Sequence, residues 1–241
     1  QLGKAFYRLS GEFLWPQGAI TSVRSEKGLK AAQAAAELYD ESGSAHYNLG
    51  TALQNFGRYE EALAAHQVAI QREPRATRYN GLGNVYADLG RHADAEAAYR
   101  QAIDLDPDDA DYHNNLGNVY RVQGRYDEAE AAFRQAIDLN PKDAAFQASY
   151  AAICRELGRK DEYKEHIRRA RELMANEDDY NKACIEAIAG NAEAALAHLE
   201  QALAPAPGLR ALAARDPDLE PLHGDRRFEA LVGGETKKSD F

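Results

Sequence analysis

The chain has 241 residues, 44% of them hydrophobic, and a formal net charge of -10. That length allows one large domain or a run of small repeats, with enough apolar surface for a sizeable core. The acidic balance repels phosphate backbones and argues against nucleic acid as a partner, and no run of about eighteen apolar residues is present to cross a membrane.

Alanine dominates the apolar fraction, while Val, Ile, Phe and Trp are sparse. Small apolar residues suit helix packed on helix and suit a sheet poorly. The opening, QLGKAFYRLS, has no basic stretch followed by an apolar one, so no secretory signal and a cytoplasmic location are expected. It also lacks a methionine, as an excised segment or a processed chain would. The two cysteines, Cys154 and Cys184, are too few for a disulfide framework and read as buried thiols.

In chain order, residues 1–42 read as a divergent helix pair with a long connection. A repeat then begins. Gly50, Gly83 and Gly117 each follow a leucine, at Leu49, Leu82 and Leu116. Gly57, Gly90, Gly124 and Gly158 each precede a basic residue, and Pro74, Pro107 and Pro141 close the units. The spacing gives units at 43–75, 76–109 and 110–143, then divergent units at 144–177 and 178–207. A fixed period of this length marks a stacked array.

Each unit reads as two helices. Leu116 and Tyr120 share a stripe on the first, and Ala129, Phe133, Ala136 and Ile137 share one on the second. A glycine ends the first helix by taking the left-handed conformation, and the proline stops the second. The inner glycines would weaken a helix by about 1 kcal/mol relative to Ala. Close approach of the second helix, where a Cβ would collide, is the expected reason for them. Residues 208–232, containing DPDLEPLHGDRRFEALV, differ from the repeats and read as a helical cap, with a tail at 233–241.

The pattern Leu116, Gly117, Tyr120, Ala129, Phe133, Pro141, with equivalents in two other units, resembles the tetratricopeptide repeat family. The resemblance implies an all-α, right-handed superhelical solenoid of antiparallel helix pairs. In that family the first helix of every unit lines the inner wall and holds a segment of a partner protein. The wall positions here include Tyr47, Asn48, Thr51 and Asn55, then Asn80, Asn84 and Asp88, then Asn114, Asn115, Asn118, Arg121 and Arg155. The many asparagines offer donors and acceptors to the backbone of an extended peptide. They also fit a purely internal role, bonding neighbouring helices. No Lys or Arg flanks the Leu-Gly pairs, so a clamp on a peptide's terminal carboxylate is not expected. Arg121 and Arg155 would bias the wall toward acidic partners.

Chemistry-bearing motifs are missing from the sequence. There is no phosphate-binding glycine loop, no HExxH and no CxxC. The arginines after the helix-ending glycines face nearby acids (Glu60, Asp94, Asp127, Asp161) and read as structural. Paired acids such as Asp108-Asp109 and Asp178-Asp179 read as helix caps. The expectation is therefore a non-catalytic interaction scaffold with no metal or cofactor, taking another protein or peptide and neither nucleic acid nor membrane. The alternatives are a regulatory segment of a larger signalling ATPase or glycosyltransferase, and self-association through a terminal repeat.

Overall fold

The computed structural model describes residues 26–205 and 209–233. The first helix expected in residues 1–42 and the tail from 234 onward lie outside them. Among the described residues there are thirteen α-helices and no strand. The chain divides into two compact units, Gln1–Pro107 and Asp108–Phe241.

In the first unit, α1 (Glu26–Leu38) packs on α2 (Gly43–Asn55). α2 forms an antiparallel pair with α3 (Tyr59–Arg72), and α4 (Ala76–Asp88) pairs with α5 (His92–Leu105). The two first helices, α2 and α4, also touch. Leu53, Ala62, Leu63, Leu82 and Val85 centre the core, with Leu29 and Ala32 of α1 on its edge.

In the second unit, α6 (Ala110–Val122) pairs with α7 (Tyr126–Leu139), α8 (Ala144–Glu156) with α9 (Lys160–Leu173), and α10 (Asp179–Ile188) with α11 (Ala192–Leu203). α6, α8 and α10 form a row of first helices. The short α12 (Arg210–Ala213) and α13 (Arg226–Gly233) follow. Leu209, Leu219, Leu222 and Phe228 insert into a core made by α10 and α11.

The turn inside each pair has one cause. Gly57, Gly90, Gly124, Gly158 and Gly190 all have φ between +69° and +77°. Around Gly57, its own N–H donates to Gln54 O and the Arg58 N–H to Leu53 O, both at 2.9 Å. That is the two-bond closure of a helix on a left-handed residue. The following arginines carry the expected structural role but not always the expected partner. Arg58 pairs with Glu61 rather than Glu60, and Arg125 with Glu128 rather than Asp127. A third residue along faces back over one helical turn, whereas a second points away. Arg91 pairs with Asp94 as expected. Arg159 departs most, reaching 29 residues back to Glu130.

The inner glycines also find their reason. A Cβ on Gly83 would lie 2.6 Å from the Tyr99 ring, and one on Gly117 would lie 2.6 Å from the Phe133 ring. An aromatic of the second helix therefore rests directly on the backbone of the first.

The pair α8–α9 departs from this plan at one polar cluster. Tyr150 stands where leucine stands in the preceding pairs, and its hydroxyl must be satisfied. It donates to the buried Glu130 at 3.2 Å, and Arg134 donates to it at 3.1 Å. Arg159 first, and Arg134 with it, hold the Glu130 carboxyl below the usual carboxylate range.

Candidate functional site

The first-helix face of each unit is half-buried and polar. In the first unit it carries Tyr47, Asn48, Thr51 and Asn55 of α2, with Asn80, Asn84 and Asp88 of α4. Several of these are engaged internally. Gln54 Nε2 donates to Asp88 Oδ2 at 2.7 Å, joining the two helices one repeat apart. Asn84 Oδ1 accepts from the buried Tyr99 hydroxyl at 2.8 Å. Burial, with Asp88 nearby, pushes the Tyr99 phenol up, so it remains a neutral donor. The Thr51 hydroxyl donates to Tyr47 O at 3.1 Å, and the Tyr47 ring meets His66 edge-on with centroids 5.3 Å apart. The cation of this unit's interior, Arg78, is 3% exposed and paired with Glu73 at 2.7 Å.

In the second unit the face begins with Asn114, Asn115, Asn118 and Arg121 on α6. Asn114 and Asn118 are four residues apart and lie on one stripe. Both side-chain oxygens are buried and receive no hydrogen bond. On α8 the equivalent stretch, Ala148, Ser149 and Ala152, is small and buried, with Ala148 and Ala152 part of the core. Tyr180 and Cys184 of α10 lie about ten and six residues before Gly190, as Asn114 and Asn118 do before Gly124, so the pairs align.

The two arginines differ: Arg121 is buried in an ion pair, while Arg155 is 34% exposed. Arg121 is 8% exposed and its guanidinium sits on the Asp218 carboxylate, 97 residues away in sequence. Arg155 donates to the Ile188 carbonyl at 3.3 Å and lies 3.6 Å from Glu156. Next to the Arg121 pair, Asp216 Oδ2 accepts from the Tyr180 hydroxyl at 2.9 Å and faces the Cys184 sulfur at 3.9 Å. Asp216 Oδ1 accepts from the Asp218 N–H at 2.9 Å. The cap segment Asp216–Leu222 thus meets both α6, through Arg121, and α10, through Tyr180 and Cys184. The residues Tyr180, Cys184, Asp216 and Asp218 were not legible as a group. Repeat spacing alone could place Tyr180 and Cys184 on the face, but nothing local ties them to Asp216.

Cys184, Asp216 and Asp218 bring a sulfur and two carboxylate oxygens within 4.8 Å of one another. Arg121 already supplies the cation there, so the cluster is an ion pair with a second acid beside it. Both cysteines are buried and unpaired. Burial pushes the Cys154 thiol up to about 11 and the Cys184 thiol well above its ordinary value. A nucleophilic cysteine needs the opposite shift. On α9, an open hollow of about 430 Å³ is lined by Tyr163, Lys164, Arg168 and Arg171 among others. Its arginines are committed to Glu165, Glu172 and Glu186. No described helix is long and apolar enough to cross a membrane.

Antiparallel pairs closed by a left-handed glycine, with an aromatic laid on a glycine and first helices in a row, define an all-α helical-repeat solenoid. The chain belongs to the tetratricopeptide repeat family. Family models described as "Tetratricopeptide repeat" match residues 41–108, 80–144 and 115–172, together more than half of the chain. No curated protein matches it in sequence. Among solved structures it is similar to YrrB, described as "a TPR protein with an unusual peptide-binding site", at 25% identity and a TM-score of 0.52. That match covers 77% of this chain and 98% of YrrB. It also shares its fold with MamA from Desulfovibrio magneticus RS-1, at 22% identity and a TM-score of 0.56, covering 73% of this chain and 97% of that one. PilF of Pseudomonas aeruginosa is 17% identical with a TM-score of 0.61, covering 90% and 94%.

Proposed function

We propose that this protein is a non-catalytic scaffold that holds an extended segment of a partner protein against its first helices. The observation that carries this reading is the pair of buried, unsatisfied oxygens on Asn114 and Asn118. A buried acceptor without a donor costs about 1–3 kcal/mol. Both oxygens are covered in this structure, so a peptide reaches them only where the neighbouring side chains draw back; an extended peptide would then present backbone N–H groups to both, without any need to read side chains. The similarity to YrrB, whose description names a peptide-binding site, supports the same reading. In the first unit, Asn84 holds Tyr99 and Asp88 holds Gln54, so those residues serve the helices themselves and have less to offer a ligand.

Arg121 does not select the partner's side chains for acidity, since its guanidinium is buried on Asp218; any such bias falls to Arg155, which is 34% exposed. The test is a peptide-library selection on the native chain beside a chain carrying Asn114→Ala and Asn118→Ala. Sequences recovered by the native chain and lost by the variant, at equal helicity, support the reading. Identical sets from both would refute it.

A further inference from the structure

The cap is held to the repeat array by an arrangement that polar packing alone does not require. Asp216 and Asp218 are two residues apart; Asp218 holds the Arg121 guanidinium, and a carboxylate oxygen of Asp216 lies within 4.8 Å of one of Asp218. The groups facing Asp216 come from three directions. From the cap itself comes Asp218. From α10 come the Tyr180 hydroxyl and the Cys184 thiol, with Asp178 acting on the latter. From α6 comes Arg121, which also feels Glu156 of α8.

Two carboxylates against one cation leave one negative charge uncompensated in a site only partly open to water, the Asp218 side chain being 17% exposed. Acids that share a buried site resist ionising together, and one keeps its proton to higher pH. The anchors around them are apolar and do not titrate: Leu219, Leu222 and Phe228 are all at most 2% exposed.

We propose that the Asp216–Asp218 pair is a proton-operated latch, which closes the cap onto Arg121 when it holds one proton and loosens it when both acids ionise. Closed, the segment Asp216–Leu222 covers Arg121 of α6 and Tyr180 of α10. Loosened, it uncovers them. Burial, and Asp218 after it, raise the Asp216 carboxyl to about 6, even though Tyr180 and the Asp218 N–H act to lower it. A carboxyl whose folded value is raised binds its proton more tightly in the folded state. Cap stability is therefore fully present below about pH 4 and falls as pH rises through about 6. The latch acts within the chain and stands whether or not the row binds a peptide.

Hydrogen exchange of the full chain, corrected for intrinsic rates and resolved over residues 209–233, tests it. Protection of the native cap should be roughly tenfold lower at pH 7.5 than at pH 5. Asp216→Asn, which keeps the shape and removes the charge, should give equal protection at both. A native cap that is flat with pH, or an Asp216→Asn cap that falls as the native one does, overturns the proposal. A carboxyl carbon titration of Asp216 in the native chain needs no variant. A midpoint near 6 supports the latch, and one below about 4.5 rejects it.

Discussion

His66 is fully buried, with neither ring nitrogen hydrogen-bonded, at the place that Tyr99 and Phe133 fill in the next two pairs. Burial lowers its pKa to about 4, so it stays neutral in the folded state. The unfolded imidazole titrates near 6.5. Its contribution is therefore present above about pH 6.5 and is lost as pH falls toward 4. His66→Phe should stabilise the chain by about 1–2 kcal/mol at pH 7 in urea unfolding, by removing two unsatisfied nitrogens. The gain should grow at pH 5. Phenylalanine is the better choice over tyrosine, because Tyr99 relies on Asn84 while the matching residue here is Thr51. Glycines give a second contrast. Gly117→Ala places a Cβ 2.6 Å from Phe133 and should destabilise by about 1–3 kcal/mol despite better helix propensity. Gly124→Ala meets nothing within 4 Å and loses about 1–2 kcal/mol from its φ of +73° alone. A repacked Phe133 in a Gly117→Ala crystal structure would distinguish the two causes.

At the scale of the helix, the first helices of the second unit are capped by aspartates and the second helices mostly are not. Asp143 accepts from the backbone N–H of Ala145 and Phe146 at 2.9 and 3.2 Å. Arg58, Arg91, Arg125 and Arg159 begin second helices without any side-chain cap. Asp143→Ala should cost about 1 kcal/mol in urea unfolding, and no change would mean that packing of α8 alone sets its start. This level was the most legible in the sequence. Leucine-glycine pairs, helix-ending glycines and closing prolines are local signals with local causes, and the family match rests on them. The departures were less legible. Tyr150 could be seen as unusual, but its partners Glu130 and Arg134 come from another helix, and no periodicity announces such a cluster. Glu61 and Glu128, the true partners of Arg58 and Arg125, follow from helical geometry rather than from nearest distance in sequence.

At the scale of the molecule, the first-helix positions follow directly from repeat spacing, but their availability does not. Arg121 and Arg155 sit where the pattern puts them, and each is taken by a group that the pattern cannot reveal: Asp218 and the Ile188 carbonyl. Long-range pairing of this kind depends on how the cap folds back within its unit. The asparagines also separate into two kinds. Asn84 accepts from Tyr99, while Asn114 and Asn118 keep buried oxygens with no donor. For Asn118, the repeat equivalent of Asn84, that separation rests on the aromatic of the second helix. Tyr99 has a hydroxyl to give, and Phe133 at the equivalent place has none. The binding proposal therefore concentrates on α6. The measurement that tests it most directly is the affinity of a library-selected peptide for the native chain, before and after N-methylation of single backbone amides. Loss of about tenfold at two amides on the native chain, and no further loss from the already weakened binding of the Asn114→Ala, Asn118→Ala chain, is the predicted result. Equal affinity of every methylated peptide for the native chain would contradict it.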